Sequence, residues 1–337
     1  MANFRTVVVG AGGISAAWFP GIKAEQVEVA AVVDIKKENA EKRIQEFGLQ
    51  AQAMTDLGRA LRRFKPDFVI DLTIPESHCG VTIKALRAGY PVIGEKPMAN
   101  SMREARRMVK TAQETGKMYM VSQSRRWDVK HVTLRDAVAS GQIGDVTTVN
   151  CDFYIGAHFG GFRDAMPSPL ILDMAIHHFD MIRLFTGADP VSVYAHEFNP
   201  KGSWYKGDVA ASCIFEMANG VVFTYRGSWC AEGCHTSWGG NWRVIGDKGT
   251  LLFEGDGMPR GEKVAEAGGF FSKMASVEIK EAAVPKLNMH GGLCEMLAFL
   301  REGTIPQTVC TDNIKSLAMV FAAMESSRKG RKVAVTW

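Results

Sequence analysis

The sequence predicts two domains, an α/β domain with a doubly wound parallel sheet followed by a mixed α+β domain. The chain has 337 residues, more than one hydrophobic core ordinarily supports. In its first third, continuously apolar strands alternate with helical segments, as in a parallel sheet covered on both faces. After about Val146 strands dominate, and Asn219-Gly220 between two of them indicates an antiparallel hairpin. We place the boundary near Ser124, giving domains 1–124 and 125–337.

Short apolar segments of the first domain predict five parallel strands, at residues 5–9, 27–33, 68–72, 92–94 and 118–121. Helical segments between them are predicted at 38–47, 78–88 and 101–115. Gly48 and Gly89 stand where a helix C′ residue belongs, and Ser101 with Glu104 forms a capping box. Because strands and helices follow each other in series, we expect right-handed crossovers and a doubly wound sheet.

Strand-like segments of the second domain are predicted at 146–155, 191–197, 209–217, 221–229, 242–245, 250–254 and 332–336. Helices interrupt them at 171–185, 293–301 and 313–328. The turn signals between several of these strands imply antiparallel pairing, which is typical of an α+β domain.

Composition excludes several classes of function. The net charge of +4 is small, and the basic clusters lie on predicted helix faces, which argues against nucleic acid as a partner. No apolar stretch approaches the ~20 residues of a membrane span, and the N-terminus lacks the pattern of a secretory signal. Seven cysteines at scattered spacings favour a reduced, cytoplasmic protein.

Two groups of residues resemble metal ligands in their spacing. Cys230, Cys234 and His235 lie close in sequence but lack a second close pair elsewhere. The adjacent His177 and His178 would point to different faces of a helix. We therefore predict no metal site.

The first predicted strand runs into a glycine-rich turn that opens a helix. The next strand ends in Asp34, roughly 20 residues past the glycines, which is the spacing of a dinucleotide-binding Rossmann unit. Gly10 permits the tight turn and Gly12 lets the backbone approach a pyrophosphate, which the helix N-terminus holds. We expect Gly10, Gly12, Gly13, Ile14 and Asp34 to bind the cofactor. A glycine turn without a nucleotide is the alternative.

The acid at the end of the second strand indicates which cofactor is bound. Asp34 would accept hydrogen bonds from the ribose hydroxyls and would repel a 2′-phosphate. We therefore predict NAD rather than NADP, although Lys36 and Lys37 leave NADP open.

Polar residues also follow the third and fourth predicted strands. Ligands of such sheets bind beyond the carboxyl ends of the strands, so these residues face the same crevice as the glycine turn. Lys96 would lie at the edge where a nicotinamide binds. The further predicted cofactor contacts are Thr73, Ile74, Pro75, His78, Glu95, Lys96, Pro97 and Ser124.

The segment LILDMAIHHFD, residues 170–180, carries a second group of polar residues. Asp173, His177 and Asp180 are spaced by four and three, so they share one face of the predicted helix. An acid and an imidazole on one face can share a substrate hydroxyl or relay a proton. A structural ion pair within the helix is the alternative.

Taken together, the motifs resemble those of the glucose-fructose oxidoreductase and inositol dehydrogenase family, also written Gfo/Idh/MocA. The match covers essentially the whole chain and rests on the segments VVVGAGGIS, VVD, IPESHCGVTIKALRAGYPVIGEKPMA and LILDMAIHHFDMI, in that order. The departures are Ala175, where the family usually has glycine, and Ser124, where many relatives carry asparagine.

The resemblance implies a Rossmann domain and a large, mostly antiparallel, open-faced sheet that packs on another subunit in a homodimer or homotetramer. It also implies that Lys96, Asp173 and His177 are the catalytic residues. The implied reaction transfers a hydride between a secondary alcohol of a sugar, sugar derivative or inositol and the nicotinamide. Redox-assisted glycoside cleavage and a non-catalytic NAD-binding regulator are the alternatives.

In that reaction His177 is the expected general base, Lys96 stabilises charge on the substrate oxygen, and Asp173 orients His177 or a substrate hydroxyl. Loops before the catalytic helix contain further candidate substrate contacts, each of which could equally be a surface or packing residue. The predicted substrate-binding residues are Lys96, Arg126, Trp127, His158, Arg163, Asp173 and His177.

Overall fold

A computed structural model describes residues 4–255 and 257–337 and divides the chain into two compact units. The first unit comprises Met1–Trp127 with Pro285–Ile314, and the second comprises Asp128–Val284 with Lys315–Trp337. The predicted division at residue 124 assigned 285–314 to the second domain. That segment belongs to the first unit because its helix packs on two first-unit elements, which are described next.

The first unit contains a six-stranded sheet in which every neighbouring pair is parallel. The strand order is β3-β2-β1-β4-β5-β6. The strands are β1 (Arg5–Val9), β2 (Glu28–Val33), β3 (Gln52–Met54), β4 (Phe68–Asp71), β5 (Val92–Glu95) and β6 (Tyr119–Ser122). The five strands other than β3 are almost wholly buried, which explains their unbroken apolar runs. This sheet confirms the predicted Rossmann domain.

Six α-helices lie wholly within the described residues of this unit. The helices are α1 (Ser15–Ala24), α2 (Lys37–Phe47), α3 (Leu57–Phe64), α4 (Pro75–Arg87), α5 (Met102–Thr115) and, from the C-terminal part, α8 (Asn288–Glu302). Helix α8 packs against α1 and against a 3-10 helix, Ser124–Trp127. The predicted capping box is present, since Ser101 Oγ accepts a hydrogen bond from Glu104 N at 3.2 Å.

Two elements of the first unit were not predicted. Strand β3 is a partly exposed edge strand of three residues, so it has no apolar run to identify it. Helix α3 begins after Asp56, whose carboxylate accepts a hydrogen bond from Arg59 N at 2.6 Å. This N-cap and the buried Leu57 and Leu61 define a short amphipathic helix.

The second unit contains a nine-stranded sheet of order β14-β13-β12-β11-β7-β10-β9-β8-β15. All neighbouring pairs are antiparallel except β7 with β10. The strands are β7 (Val146–Tyr154), β8 (Pro190–Phe198), β9 (Ala210–Met217), β10 (Val222–Ser228), β11 (Asn241–Gly246), β12 (Gly249–Glu254), β13 (Arg260–Glu266), β14 (Lys273–Ser276) and β15 (Val333–Ala334).

Three α-helices belong wholly or partly to the described residues of the second unit. The helices are α6 (Val129–Ala139), α7 (Ile176–Thr186) and the part of α9 (Cys310–Lys329) from Lys315 onward. Strands β13 and β14 were not predicted because most of their residues are exposed, so they show no run of buried residues.

One face of the large sheet is packed and the other is open. On the packed face the ring of Phe179, from α7, lies 4.9 Å from that of Phe215 and 5.4 Å from that of Tyr225. On the other face Tyr194 and Ile214 stand opposite each other on β8 and β9, and both are exposed. This arrangement confirms the mostly antiparallel, open-faced sheet.

No helix within residues 4–255 and 257–337 combines the length and apolarity needed to cross a membrane. All seven cysteines of the chain are free thiols.

Two helical glycines provide a matched test of packing in the first unit. A Cβ on Gly80, in α4, would meet no atom within 4 Å, whereas one on Gly291, in α8, would lie 2.4 Å from Trp127 Cγ. We expect Gly80→Ala to raise the free energy of unfolding by about 0.5–1 kcal/mol and Gly291→Ala to lower it by about 1–3 kcal/mol. Urea unfolding followed by circular dichroism measures both. An unchanged Gly291→Ala protein would contradict the packing of α8 on Trp127.

Candidate active site

The glycine turn after β1 lies against the end of β4. Gly10 has φ +96°, and a Cβ there would lie 2.6 Å from the carbonyl carbon of Leu72 and 2.8 Å from Thr73 N. Gly10 N also donates to Val33 O at 2.8 Å. Glycine is therefore required both by the backbone conformation and by the close approach of the turn to its neighbour.

The next two glycines are not required by protein packing. A Cβ on Gly12 or Gly13 would meet no protein atom within 4 Å. The turn is therefore open where a side chain would otherwise stand, as a backbone that binds a pyrophosphate requires. Ser15 is fully buried, and its hydroxyl donates to Gly12 O at 2.7 Å, which fixes the start of α1.

Asp34 connects the glycine turn to the loop after β2. One carboxylate oxygen accepts from Ala11 N at 2.9 Å, and the other accepts from Lys36 N at 2.9 Å and from Asn39 Nδ2 at 3.2 Å. The side chain remains partly exposed, so the carboxylate can still accept hydrogen bonds from ribose hydroxyls. The structure thus brings Asp34 to the turn, as the sequence predicted.

Sequence reasoning missed Arg43, which supports the same turn. Its guanidinium, on α2, donates to Ala11 O at 3.3 Å and to Gly12 O at 3.2 Å, and pairs with Glu46 at 2.6 Å. No residue pattern marks it, because the contact arises only when α2 folds back along the turn.

Three isoleucines are exposed at the carboxyl ends of adjacent strands. The exposed fractions are 41% for Ile14, 60% for Ile74 and 91% for Ile35. Ile35 was not predicted as a contact, although an isoleucine directly after Asp34 is a signal that the sequence offers. Exposed apolar side chains at this edge suit the flat bases of a dinucleotide.

Below this edge lies a buried polar cluster. His78 is 2% exposed, and its Nδ1 lies 3.2 Å from both Thr73 Oγ1 and Asp71 Oδ2. Thr73 Oγ1 donates to Asp71 Oδ1 at 2.6 Å. His78 was predicted to contact the cofactor, but its burial and partners indicate that it supports the loop of Thr73, Ile74 and Pro75 from beneath.

The residues at the end of β5 divide between the interior and the surface. Glu95 is buried and accepts from Trp18 Nε1 at 2.7 Å and from Lys96 N at 3.2 Å. Lys96 is partly exposed and is followed by Pro97 through a cis peptide bond. The structure therefore presents Lys96, rather than Glu95, at the carboxyl edge of the sheet. Ser124 is half-buried at the start of the 3-10 helix after β6.

The surrounding residues raise the pKa of both Glu95 and His78. Burial raises the pKa of Glu95, against the hydrogen bond from Trp18 and the positive charge of Lys96. Burial alone would lower the pKa of His78, but the charge and hydrogen bond of Asp71, with the charges of Glu95 and Glu76, outweigh it and raise that pKa.

The helix that carries Asp173 and His177 differs from the single α-helix predicted over 171–185. Leu170–Ala175 is a π-helix, and α7 begins only at Ile176. Asp173 thus lies in the π-helix and His177 in the α-helix, both partly buried. Asp180 is wholly buried, where Ser316 Oγ donates to it at 2.7 Å, so it has a structural role. A π-helix adds a residue to one turn, which the regular spacing of polar residues cannot reveal.

Asp173 forms an ion pair with Arg163. The distance between Arg163 Nε and Asp173 Oδ2 is 2.6 Å. The guanidinium also lies over two aromatic rings, 5.0 Å from the centroid of Phe159 and 4.7 Å from that of Phe162. The structure therefore brings Arg163, which was predicted as a substrate contact in a preceding loop, to a catalytic candidate.

The other three predicted substrate contacts have structural partners. Arg126 is buried and donates to Gln307 O at 3.3 Å, and Trp127 Nε1 donates to Glu295 Oε1 at 3.0 Å. His158 is exposed, pairs with Glu232 at 2.8 Å and stacks on Trp204. These contacts favour the alternative that the sequence left open, that these are packing and surface residues.

Because the pKa of His78 is raised, the stability of the fold depends on pH with a defined sign. Protonated His78 contributes stability that is fully present below pH 6.5, the ordinary pKa of histidine. This contribution is lost as the pH rises through the pKa that His78 has in the folded chain. We expect NMR titration of the His78 ring to give a midpoint above 6.5, which Asp71→Asn should lower. Absence of the resonance in His78→Gln assigns it. A wild-type midpoint at or below 6.5 would contradict the geometry described.

Comparison with known proteins agrees with this architecture. Residues 4–123 match the model of an oxidoreductase family with an NAD-binding Rossmann fold, and residues 131–252 match the GFO/IDH/MocA C-terminal domain. An uncharacterized protein of Sinorhizobium fredii is 30% identical over 99% of this chain and 96% of its own length. The D-apiose dehydrogenase of Paraburkholderia graminis is 26% identical over 98% of this chain and 89% of its own.

A solved structure shows the same fold. The oxidoreductase from Agrobacterium radiobacter, in complex with NAD+, L-tartaric acid and magnesium, superposes with a TM-score of 0.86. It is 22% identical to this chain, and the match covers 99% of each. With the open glycine turn and Asp34 in place, the first unit is an NAD-binding Rossmann domain, and the chain belongs to the GFO/IDH/MocA family of oxidoreductases.

Proposed function

We propose that the protein transfers a hydride between NAD and a secondary alcohol of a sugar, sugar derivative or inositol. The observation that carries this proposal is the partly exposed Lys96 at the carboxyl end of β5, inside an NAD-binding domain. A second unit that contains Asp173 and His177 supports it, as does the relative that acts on D-apiose. An acid, an imidazole and an ammonium group are sufficient for the proton chemistry of an alcohol dehydrogenase.

The residues of this chain handle the proton and the charge. NAD, when bound, supplies the acceptor for the hydride. His177 takes the proton of the carbinol hydroxyl as the general base, and Lys96 donates a hydrogen bond to the same oxygen and stabilises its developing negative charge. Asp173 holds a neighbouring substrate hydroxyl or the imidazole, with Arg163 balancing its charge.

NAD is favoured over NADP at Asp34. Both of its oxygens already accept hydrogen bonds from Ala11, Lys36 and Asn39, so the carboxylate is fixed at the end of β2. A 2′-phosphate at this position would meet a fixed negative charge. Arg43, whose guanidinium lies at the turn, is engaged by Glu46 and by two backbone carbonyls.

The open sheet face supports the predicted homodimer or homotetramer. Tyr194, Ile214 and Val222 are apolar and exposed on neighbouring strands of that face. Exposed apolar side chains on adjacent strands of one sheet face are typical of an interface. The mass of the protein in solution, measured by light scattering, tests this, and a monomer would contradict it. The cytoplasmic location stays a prediction.

Two variants test the proposed chemistry. With NAD and a panel of sugars, sugar acids and inositols, we expect Lys96→Ala to reduce NADH formation by about 100- to 1,000-fold and His177→Ala by about 100- to 10,000-fold. NADH absorbance measures the rate, and NAD binding by the variants is measured separately. Lys110→Ala, an exposed lysine on α5, is the control and should match the wild type. Variants that bind NAD and keep the wild-type rate would contradict both roles.

The same panel separates the alternatives. Cleavage of a glycoside without net NADH formation indicates redox-assisted elimination, in which NAD is reduced only transiently. NAD binding with neither dehydrogenation nor cleavage on any substrate indicates a regulator.

Arg163 favours a carboxylated sugar as substrate. Arginine binds carboxylates bidentately, and this one is held at a catalytic candidate between two aromatic rings. The bound L-tartaric acid of the Agrobacterium radiobacter protein is a hydroxy acid, which is consistent with this class.

The substrate class is tested with pairs of substrates that differ only in a carboxylate. We expect Arg163→Gln to lower kcat/KM for the acid about 10- to 100-fold more than for its neutral counterpart, because one charged hydrogen-bonding partner is lost. The ratio of kcat/KM for the acid to kcat/KM for its neutral counterpart cancels any effect through Asp173 that both substrates share. Arg226→Gln, which loses a comparable ion pair with Asp152 on the open sheet, should leave the ratio unchanged. An unchanged ratio in Arg163→Gln would exclude the carboxylate preference.

A further inference from the structure

Three side chains of the first unit form a cluster of potential metal ligands outside the residues considered so far. Glu25 caps the end of α1, and His290 and Cys294 lie on α8. One ligand atom from each lies within 4.8 Å of the others. Across residues 4–255 and 257–337 this is the only group of three or more histidine, cysteine and acidic side chains that meets this distance.

The arrangement follows from the helices. His290 and Cys294 are four residues apart on α8, so their side chains lie on the same face one turn apart. Glu25 reaches that face because α1 packs on α8. Gly21 is one reason that the helices pack closely, since a Cβ there would lie 3.3 Å from His290 Cβ.

We propose that Glu25, His290 and Cys294 form a binding site for a divalent zinc-type cation. The ligands would be one carboxylate oxygen of Glu25, Nε2 of His290 and the thiolate of Cys294, with water in the fourth position. A mixed oxygen, nitrogen and sulfur set suits Zn²⁺, whereas Mg²⁺ and Ca²⁺ require oxygen ligands.

The distances allow coordination with little movement. Metal–ligand bonds of about 2.0–2.3 Å place the ligands of a tetrahedral ion about 3.3–3.8 Å apart. The observed separations are at most 4.8 Å, and His290 Nε2 lies 2.8 Å from Glu25 Oε1. Shifts of the ligand atoms by about 1 Å, through side-chain rotation, are therefore sufficient for coordination. The side chains of Glu25 and His290 are 17% and 24% exposed, so an ion can reach them from solvent.

Lys286 and His290 compete with a metal for Glu25. Lys286 Nζ lies 3.3 Å from Glu25 Oε1, and His290 bonds to the same oxygen. Lys286 is 45% exposed, so its ammonium group can leave for water when an ion binds. The Cys294 thiol gives up its proton to solvent as the sulfur–metal bond forms, and neutral His290 carries its ring proton on Nδ1, so that Nε2 can bind the ion. Binding is thus an exchange in which a divalent ion replaces an ammonium group and a proton.

Such an ion would join two parts of the first unit that are far apart in sequence. Glu25 and His290 are separated by 265 residues, and α1 starts directly after the glycine turn. A metal that binds only the folded chain stabilises it and cross-links α1 to α8. The site does not include Lys96, Asp173 or His177, so the metal site and the proposed reaction are tested independently of each other.

Cobalt titration of the full chain tests the site without substrate or NAD. After treatment with a chelator, we expect one equivalent of Co²⁺ per chain to give the near-ultraviolet charge-transfer band of a cobalt–thiolate bond, and Zn²⁺ to displace it. Zn²⁺ should also raise the thermal unfolding midpoint. Cys294→Ser should abolish the band, and Cys234→Ser, which removes an exposed cysteine of the second unit, should retain it.

A second variant keeps the test decisive if Cys294→Ser folds poorly. His290→Gln can still donate to Glu25 but removes the nitrogen ligand, and should weaken Co²⁺ binding about ten-fold or more. No stoichiometric band in the wild type, or a band that persists in Cys294→Ser, would overturn the site.

Discussion

The close backbone contact at Gly10 is the constraint on which the nucleotide-binding edge depends. The turn after β1 approaches the end of β4 so closely that any side chain would lie inside Leu72 and Thr73. That approach leaves Ala11 N in reach of Asp34 and the Gly12 carbonyl in reach of Arg43. The ends of β2, β1 and β4, which are neighbours in the sheet, are therefore fixed relative to one another through Gly10, a residue without a side chain.

Beneath that edge, buried charges are stabilised by each other rather than by water. Asp71, His78 and Glu95 are almost inaccessible, and an unpaired charge at any of them would be costly. The hydrogen bonds among Asp71, Thr73 and His78, and that from Trp18 to Glu95, meet this requirement. The end of β5 explains the sequence Glu95-Lys96, because Glu95 is the last, buried residue of the strand and Lys96 is the first, partly exposed residue beyond it. Glu95 faces the interior and Lys96 the edge.

Prediction of strands from the sequence succeeded where burial leaves a recognisable pattern of apolar residues. The central strands of the first unit are covered on both faces and appear as unbroken apolar runs, whereas β3, β13 and β14 are edge or exposed strands without such a pattern. The glycine turn and Asp34 were predicted because their chemistry is local. Arg43 and the partner of Arg126 were not, because residues 31 and 181 positions away complete those contacts.

The π-helix shows a limit of a different kind. Four-residue spacing correctly placed Asp173 and His177 in one helical segment, but the sequence contains nothing that distinguishes a π turn from an α turn. The distinction matters because it sets what each side chain contacts. With the extra residue in the turn, Asp173 pairs with Arg163, while His178 and Asp180 remain wholly buried one turn later. The proposed catalytic motif is thus local in sequence, but its electrostatic environment comes from a preceding loop. Substrate preference can therefore change through residues such as Arg163 while the motif itself stays constant.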